Sequence, residues 1–291
     1  MLRLLAVNDE TKTQIGEEKG VEALLKMAKA FPKSTTVQAD VAGALAVLAV
    51  DDALEAAIAQ GGGIELLLAA LQQHPEHPAV VAHAWHALTN LSVSADNKAR
   101  VSKADIKALI GNTLKKHAEA PRVVEGVATT LRNLCLGAEP SSFVDADTCE
   151  KLLQLLKSYT PQTIVALAIA GAVRAVTVSP GLASQMAAKG GHEVLNGVLS
   201  ESAQNKYDDR LKKEVESALR RLDAAQAGEG MDSRASVAEM SSTKGEKTRL
   251  PGGMKQKQKE VGSLKDGVVS LLTPKGKKDK KKSGKGDFVE L

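Results

Sequence analysis

Apolar residues recur along the chain at a long, fixed step. Leu2, Leu45, Leu88, Leu131 and Val173 stand 43, 43, 43 and 42 residues apart. Three residues further on, Leu5, Leu48, Leu91, Leu134 and Val176 keep the same register. A second ladder runs in phase with the first. Val21, Ile64, Ile106, Cys149 and His192 open short apolar runs, followed three residues later by Leu24, Leu67, Leu109, Leu152 and Leu195. Apolar positions spaced by three with polar residues between them mark one face of a helix. Helical units repeated every ~40–47 residues predict an array in which each unit buries its face on its neighbours.

Breakers divide each period into elements. A helix over 21–31 stops at Pro32, and Ser34-Thr35-Thr36 supplies the cap of the next, which runs to about residue 50. A short helix at 52–60 ends at Gly61-Gly62-Gly63, and another fills 64–74. The glycine triplet has no Lys-Ser/Thr behind it and reads as a turn between helices. Pro75 and Pro78 precede the long helix to Ser94, and Pro121 opens the next long helix. Thr160-Pro161 reads as cap and first turn of the one after, with Pro180 as its stop. Gly190-Gly191 then precedes a helix from His192 to about residue 200.

The closing helix, over 206–227, carries one narrow apolar stripe of Leu211, Val215, Ala218 and Leu222. Asp208, Asp209, Arg210, Lys212, Lys213, Glu214, Glu216, Arg220 and Arg221 fill the rest of its surface and read as solvent-facing. That pattern predicts a C-terminal cap. Residues 2–7 read as the last helix of an incomplete first repeat. The expectation is either a truncated chain or an end covered by another chain.

Leu88-Thr89-Asn90-Leu91-Ser92 followed by Asp96-Asn97-Lys98, with a second copy at Leu131-Arg132-Asn133-Leu134-Cys135, resembles the armadillo repeat. The resemblance covers roughly residues 1–225 and is specific for fold. It implies an all-α, right-handed superhelix of about five stacked repeats over residues 1–227. It also implies a groove lined by the long third helices, in which an Asn amide clamps the backbone of an extended peptide. Asn90 and Asn133 occupy that position, and His86, Arg132 and Arg174 flank it. A carboxamide offers both a donor and an acceptor for such a task. The same two asparagines could equally cap or bridge neighbouring helices. The arginines favour an extended, acidic protein partner. Members of the family that receive nuclear-import signals place a Trp four residues before the Asn. Here those positions hold His86 and Thr129, so a receptor of that kind is not expected. The single Trp, Trp85, is one residue off that register and is either a core filler or a groove anchor.

Aromatic residues make up 2% of the chain, which suits closely packed helices and argues against a β-sandwich. The net charge of +4 conceals a split. Residues 228–291 hold 15 Lys+Arg against 9 Asp+Glu, so the preceding residues, with 24 against 26, are slightly acidic. This last stretch is rich in Gly, Ser and Lys and is expected to be a disordered basic tail. Within it, Val261, Leu264, Val268, Leu271 and Leu272 make a brief helical pattern. Lys277, Lys278, Lys280, Lys281 and Lys282 form a run that suits a nuclear signal, a nucleic-acid or microtubule contact, or mere solubility. Val289-Glu290-Leu291 suits capture of a C-terminal carboxylate.

Signs of chemistry are thin. Neither a nucleophile elbow, a phosphate loop nor a Cys-x-x-Cys pair occurs, so no cofactor and no small-molecule substrate are expected. His192-Glu193 is a lone instance of the pairs that build di-iron sites in HEAT-repeat hydroxylases, the less favoured enzymatic alternative. His74, Glu76 and His77 lack a second cluster at ligand spacing. Cys135 and Cys149 read as buried, reduced thiols. No run of apolar residues reaches the ~20 a membrane span needs. The sequence therefore points to a non-enzymatic interaction scaffold in the cytoplasm, or to an adaptor brought to the nucleus or cytoskeleton by its tail.

Overall fold

A computed structural model describes residues 14–16, 18–204 and 209–228. The chain divides into two units, Met1–Lys247 and Thr248–Leu291, and every described residue lies in the first. The rungs Leu2 and Leu5, the 261–272 pattern, the lysine run and the C-terminal tripeptide fall outside the described residues.

Thirteen α-helices and one 3-10 turn make up the described elements, with no strand among them. In chain order they are α1 (Gly20–Ala30), α2 (Thr35–Leu48), α3 (Asp52–Gln60), α4 (Gly63–Gln73) and α5 (Pro78–Leu91). Then come α6 (Ala95–Val101), α7 (Ile106–Lys116), α8 (Pro121–Cys135), the turn Pro140–Ser142 and α9 (Ala146–Tyr159). The rest are α10 (Thr163–Val176), α11 (Pro180–Ala188), α12 (Gly191–Gln204) and α13 (Asp209–Ala227). A complete repeat has a short first helix (α3, α6 or α11), a second (α4, α7 or α12) and a long third (α5, α8 or α13). The repeat ending in α10 has only the 3-10 turn in place of its first helix.

Local chemistry starts these helices. Asp51 accepts hydrogen bonds from the N–H groups of Ala53 and Leu54 at the head of α3, both at 3.0 Å. Asp145 accepts from the Thr148 N–H at 2.9 Å and from its hydroxyl at 2.7 Å, which holds the carboxyl below its usual range. Pro78, Pro121 and Pro180 each occupy the first turn of a helix. Pro180 thus opens α11, while α10 already ends at Val176. Thr160 and Pro161 follow α9 rather than cap α10, whose N-cap is Gln162. The turn into α4 needs a left-handed residue, supplied by Gly62 at φ 87°. Gly190 serves the same turn before α12, while Lys19 adopts φ 56° before α1.

The third helices α2, α5, α8, α10 and α13 pack each on the next. Leu45, Leu88, Leu131 and Val173 are fully buried in these seams, and one hydrophobic cluster runs from Ile15 to Leu222. The second ladder is inward-facing as well, with two exceptions. Leu109 is only partly buried, and its neighbour Ile110 takes the core position. His192 is half-buried instead of filling the core. The stripe of α13, Leu211, Val215, Ala218 and Leu222, is buried as expected. Cys135 and Cys149 are free and buried, and burial pushes both thiols well above their ordinary range. No single helix among the described residues is long and apolar enough to cross a membrane.

Candidate functional site

The face made by the third helices is built by side chains that reach back one period. On α5, Asn90 Nδ2 donates to the Ala46 carbonyl of α2 at 2.7 Å. One repeat later, Asn133 Nδ2 donates to the Thr89 carbonyl at 3.0 Å and to Ser92 Oγ at 3.3 Å. At the last seam Arg221 Nη1 of α13 donates to the Arg174 carbonyl of α10. The three acceptors hold equivalent places, one residue beyond the apolar anchors Leu45, Leu88 and Val173. The asparagines therefore do bridge neighbouring helices. Each is about nine-tenths buried, so the bond also satisfies a donor removed from water. The α8–α10 seam has Ala175 at this register. Gly171 closes that seam from α10, and a Cβ there would stand 3.1 Å from Arg132 Cδ and 3.5 Å from its Nε.

The α5–α8 seam is threaded by polar contacts. Thr89 Oγ1 and Thr130 Oγ1 are 2.9 Å apart, and Thr130 Oγ1 donates to the Trp85 carbonyl at 3.2 Å. Trp85 itself is completely buried, its indole N–H reaching Thr113 Oγ1 at 3.3 Å. Of its two sequence readings, core filler is what this placement allows; a ring with no exposed surface cannot anchor a partner. His86 is also turned inward, 3% exposed, with Nε2 at 2.9 Å from the Arg122 carbonyl. That contact requires the proton on Nε2, since a carbonyl only accepts. Burial is the main reason its pKa falls to about 4, so the ring is neutral at pH 7. The close approach depends on Gly126, where a Cβ would stand 2.7 Å from His86 Cδ2 and 3.0 Å from Trp85 Cβ.

Charge gathers at the other end of this face. Arg174 donates Nε to Glu214 Oε2 of α13, and Arg132 Nη2 stands 3.8 Å from Glu214 Oε1. The side chains of Arg174 and Glu214 are 6% and 13% exposed, that of Arg132 24%. The sequence reading assigned Glu214 and Arg221 to the solvent-facing side of the last helix. Instead Glu214 pairs with Arg174, with Arg132 at 3.8 Å, and Arg221 is 1% exposed. A long charged side chain can reach a buried partner from beside an apolar stripe, and residue type alone does not reveal that.

A further ladder runs along the second helices and had no expectation attached to it. His74 Nε2 lies 2.7 Å from the Pro32 carbonyl, His117 Nε2 2.8 Å from that of Pro75, and Tyr159 Oη donates to Ala118 at 2.9 Å. The available signal was the placing of His74 and His117, 43 residues apart at the ends of second helices. His192 pairs with Asp223 at 2.9 Å. Among the described residues, no group of three or more His, Cys, Asp or Glu stands close enough to hold a metal ion. Lys277, Lys278, Lys280, Lys281 and Lys282 lie outside the described residues.

No protein-family model and no curated protein matches the chain. Solved structures do. A crystal structure of an engineered protein superposes with a TM-score of 0.64 at 25% identity, covering 77% of this chain and 88% of the other. A second engineered protein gives 0.63 at 25% identity, covering 76% of this chain and 52% of its own. A designed armadillo repeat protein gives 0.57 at 16% identity, covering 76% of this chain and 90% of the other. The fold is an armadillo-like, all-α helical repeat.

Proposed function

We propose that this chain is a non-enzymatic protein-interaction scaffold that holds an extended, acidic segment of a partner along its third-helix face. The observation that carries the reading is Arg132, a partly exposed positive charge on this face beside the enclosed Arg174–Glu214 pair. His86, Asn90 and Asn133 would then serve the partner indirectly, by fixing the helices at set spacings. A surface ordered before binding loses little entropy on association, which favours recognition of a flexible segment. Repeat arrays of this fold typically serve as binding scaffolds, and the armadillo-like architecture is consistent with a protein partner.

The test is capture of partners by the full chain, with crosslinking and mass spectrometry. Crosslinks on α5, α8 and α10 near Asn90, Asn133 and Arg132 are the expected result. Crosslinks confined to residues 275–285 would replace this reading with that of an adaptor addressed by its lysine run.

A further inference from the structure

Arg132 and Arg174 lie on adjacent third helices and share one carboxylate, and the sharing is unequal. Arg174 makes the hydrogen bond to Glu214 and is almost fully enclosed. Arg132 stands 3.8 Å from the same carboxylate, close enough for attraction but too far for a hydrogen bond. Its Nε is buried and has no acceptor among the described residues. The trio therefore carries two positive charges against one negative. Burial, opposed by Glu214 and reinforced by Arg174, draws the Arg132 pKa below its ordinary range. A guanidinium held in this way lacks an acceptor that burial would normally demand.

The surroundings keep its head within reach. Gly171 provides no side chain, so Arg132 lies flat across the α8–α10 seam with part of its guanidinium exposed. At this seam Ala175 stands where the two preceding seams have a bridging asparagine. A carboxylate approaching from solvent can accept from the two terminal Nη groups, the two-pronged, end-on geometry a guanidinium allows, while the buried Nε stays against α10.

We infer that Arg132 is the anion-recognition point of the third-helix face and takes one carboxylate from an extended acidic segment of a protein partner, while Arg174 is already satisfied within the chain by Glu214. The inference rests on the scaffold reading and narrows it. The partner needs an Asp or Glu at the residue that crosses the α8–α10 seam, and acidic residues elsewhere add only screened, long-range attraction.

The experiment titrates the full chain with a short labelled peptide alternating Glu and Ser, and with its Gln counterpart, by fluorescence anisotropy at low ionic strength. Lys277, Lys278, Lys280, Lys281 and Lys282 are replaced by Gln in every sample, so the tail does not compete for the acidic probe. The Glu peptide is expected to bind about tenfold more tightly than the Gln peptide, and Arg132→Gln to abolish that difference. Gly171→Ala is the second probe. It keeps every charge and favours the helix, but its methyl group presses on Arg132 Cδ and displaces the guanidinium from its place over the seam, so affinity should fall several-fold with the melting temperature held or raised. Equal binding of the two peptides, no binding of either, or unchanged affinity in both variants overturns the inference. Crosslinks to the third helices that persist in Arg132→Gln overturn it while leaving the scaffold reading standing.

Discussion

His86 shows how much one residue's role depends on what lies over it. Its place on α5 is that of a groove residue, yet Gly126 admits the ring into the α5–α8 seam. The consequence is a pH dependence of definite sign. The folded pKa, about 4, lies below the ordinary value of 6.5. Above pH 6.5 the ring is neutral whether the chain is folded or not, and the contribution is constant. As pH falls from 6.5 towards 4, the unfolded chain takes up a proton that the folded one refuses, and stability is lost, by roughly 3 kcal/mol in all. His86→Gln keeps an N–H near the position of Nε2 and cannot titrate. Urea midpoints of the two proteins between pH 7 and 4.5 should converge as the pH falls, with the variant losing less. Parallel curves would mean that His86 titrates normally. Sequence spacing placed His86 on the right helix. It could not show the glycine opposite, since that contact joins residues 40 apart.

At the scale of elements, the seams between third helices are held by apolar anchors and, at three of the four junctions, by a side-chain donor to the carbonyl one residue beyond the anchor. Asn133→Ala removes one donor from the Thr89 carbonyl, which keeps that of Ser92 Oγ at 3.0 Å. A loss of about 0.5–1.5 kcal/mol is expected, read as a shift in the urea midpoint. Asn90→Ala should behave alike at the α2–α5 seam. If either variant melts as the parent does while partner capture fails, the amides act on the partner and not on the array. The helices themselves were legible from sequence, because burial of Leu45, Leu88, Leu131 and Val173 imposes the period directly. The slip from Leu109 to Ile110 marks the limit of that signal: a step of 42 or 43 residues turns a helix by a whole residue, and packing decides which neighbour goes inward. The polar rungs were less legible. Asn90 and Asn133 stood out, but their partners are backbone carbonyls, which have no signature in residue type. Glu214 and Arg221 were misread because charged residues beside an apolar stripe normally meet water.

For the whole molecule, both ladders share one rule. Side chains on the third helices α5 and α8 reach back 44 residues, and those at the ends of the second helices α4, α7 and α9 reach back 42, 42 and 41. Armadillo-like order was plain in the sequence because it is written in that spacing, whereas the charged end of the face was not, because α13 departs from the common pattern. The bonds count residues and not absolute positions. Length is therefore quantised in this chain. Removal of residues 49–91, one period, brings Asn133 to the Ala46 carbonyl that Asn90 now holds, and Ser92 to the end of α2. Such a shortened protein should keep its helicity per residue by circular dichroism, at some cost in stability from the cavity left by Trp85 and His86. Removal of half as many residues should destabilise it strongly, since the rungs that span the deletion would then miss their acceptors. Gain and loss of whole periods would thus be the tolerated route by which a surface of this kind changes its reach, and with it the length of the segment it can hold.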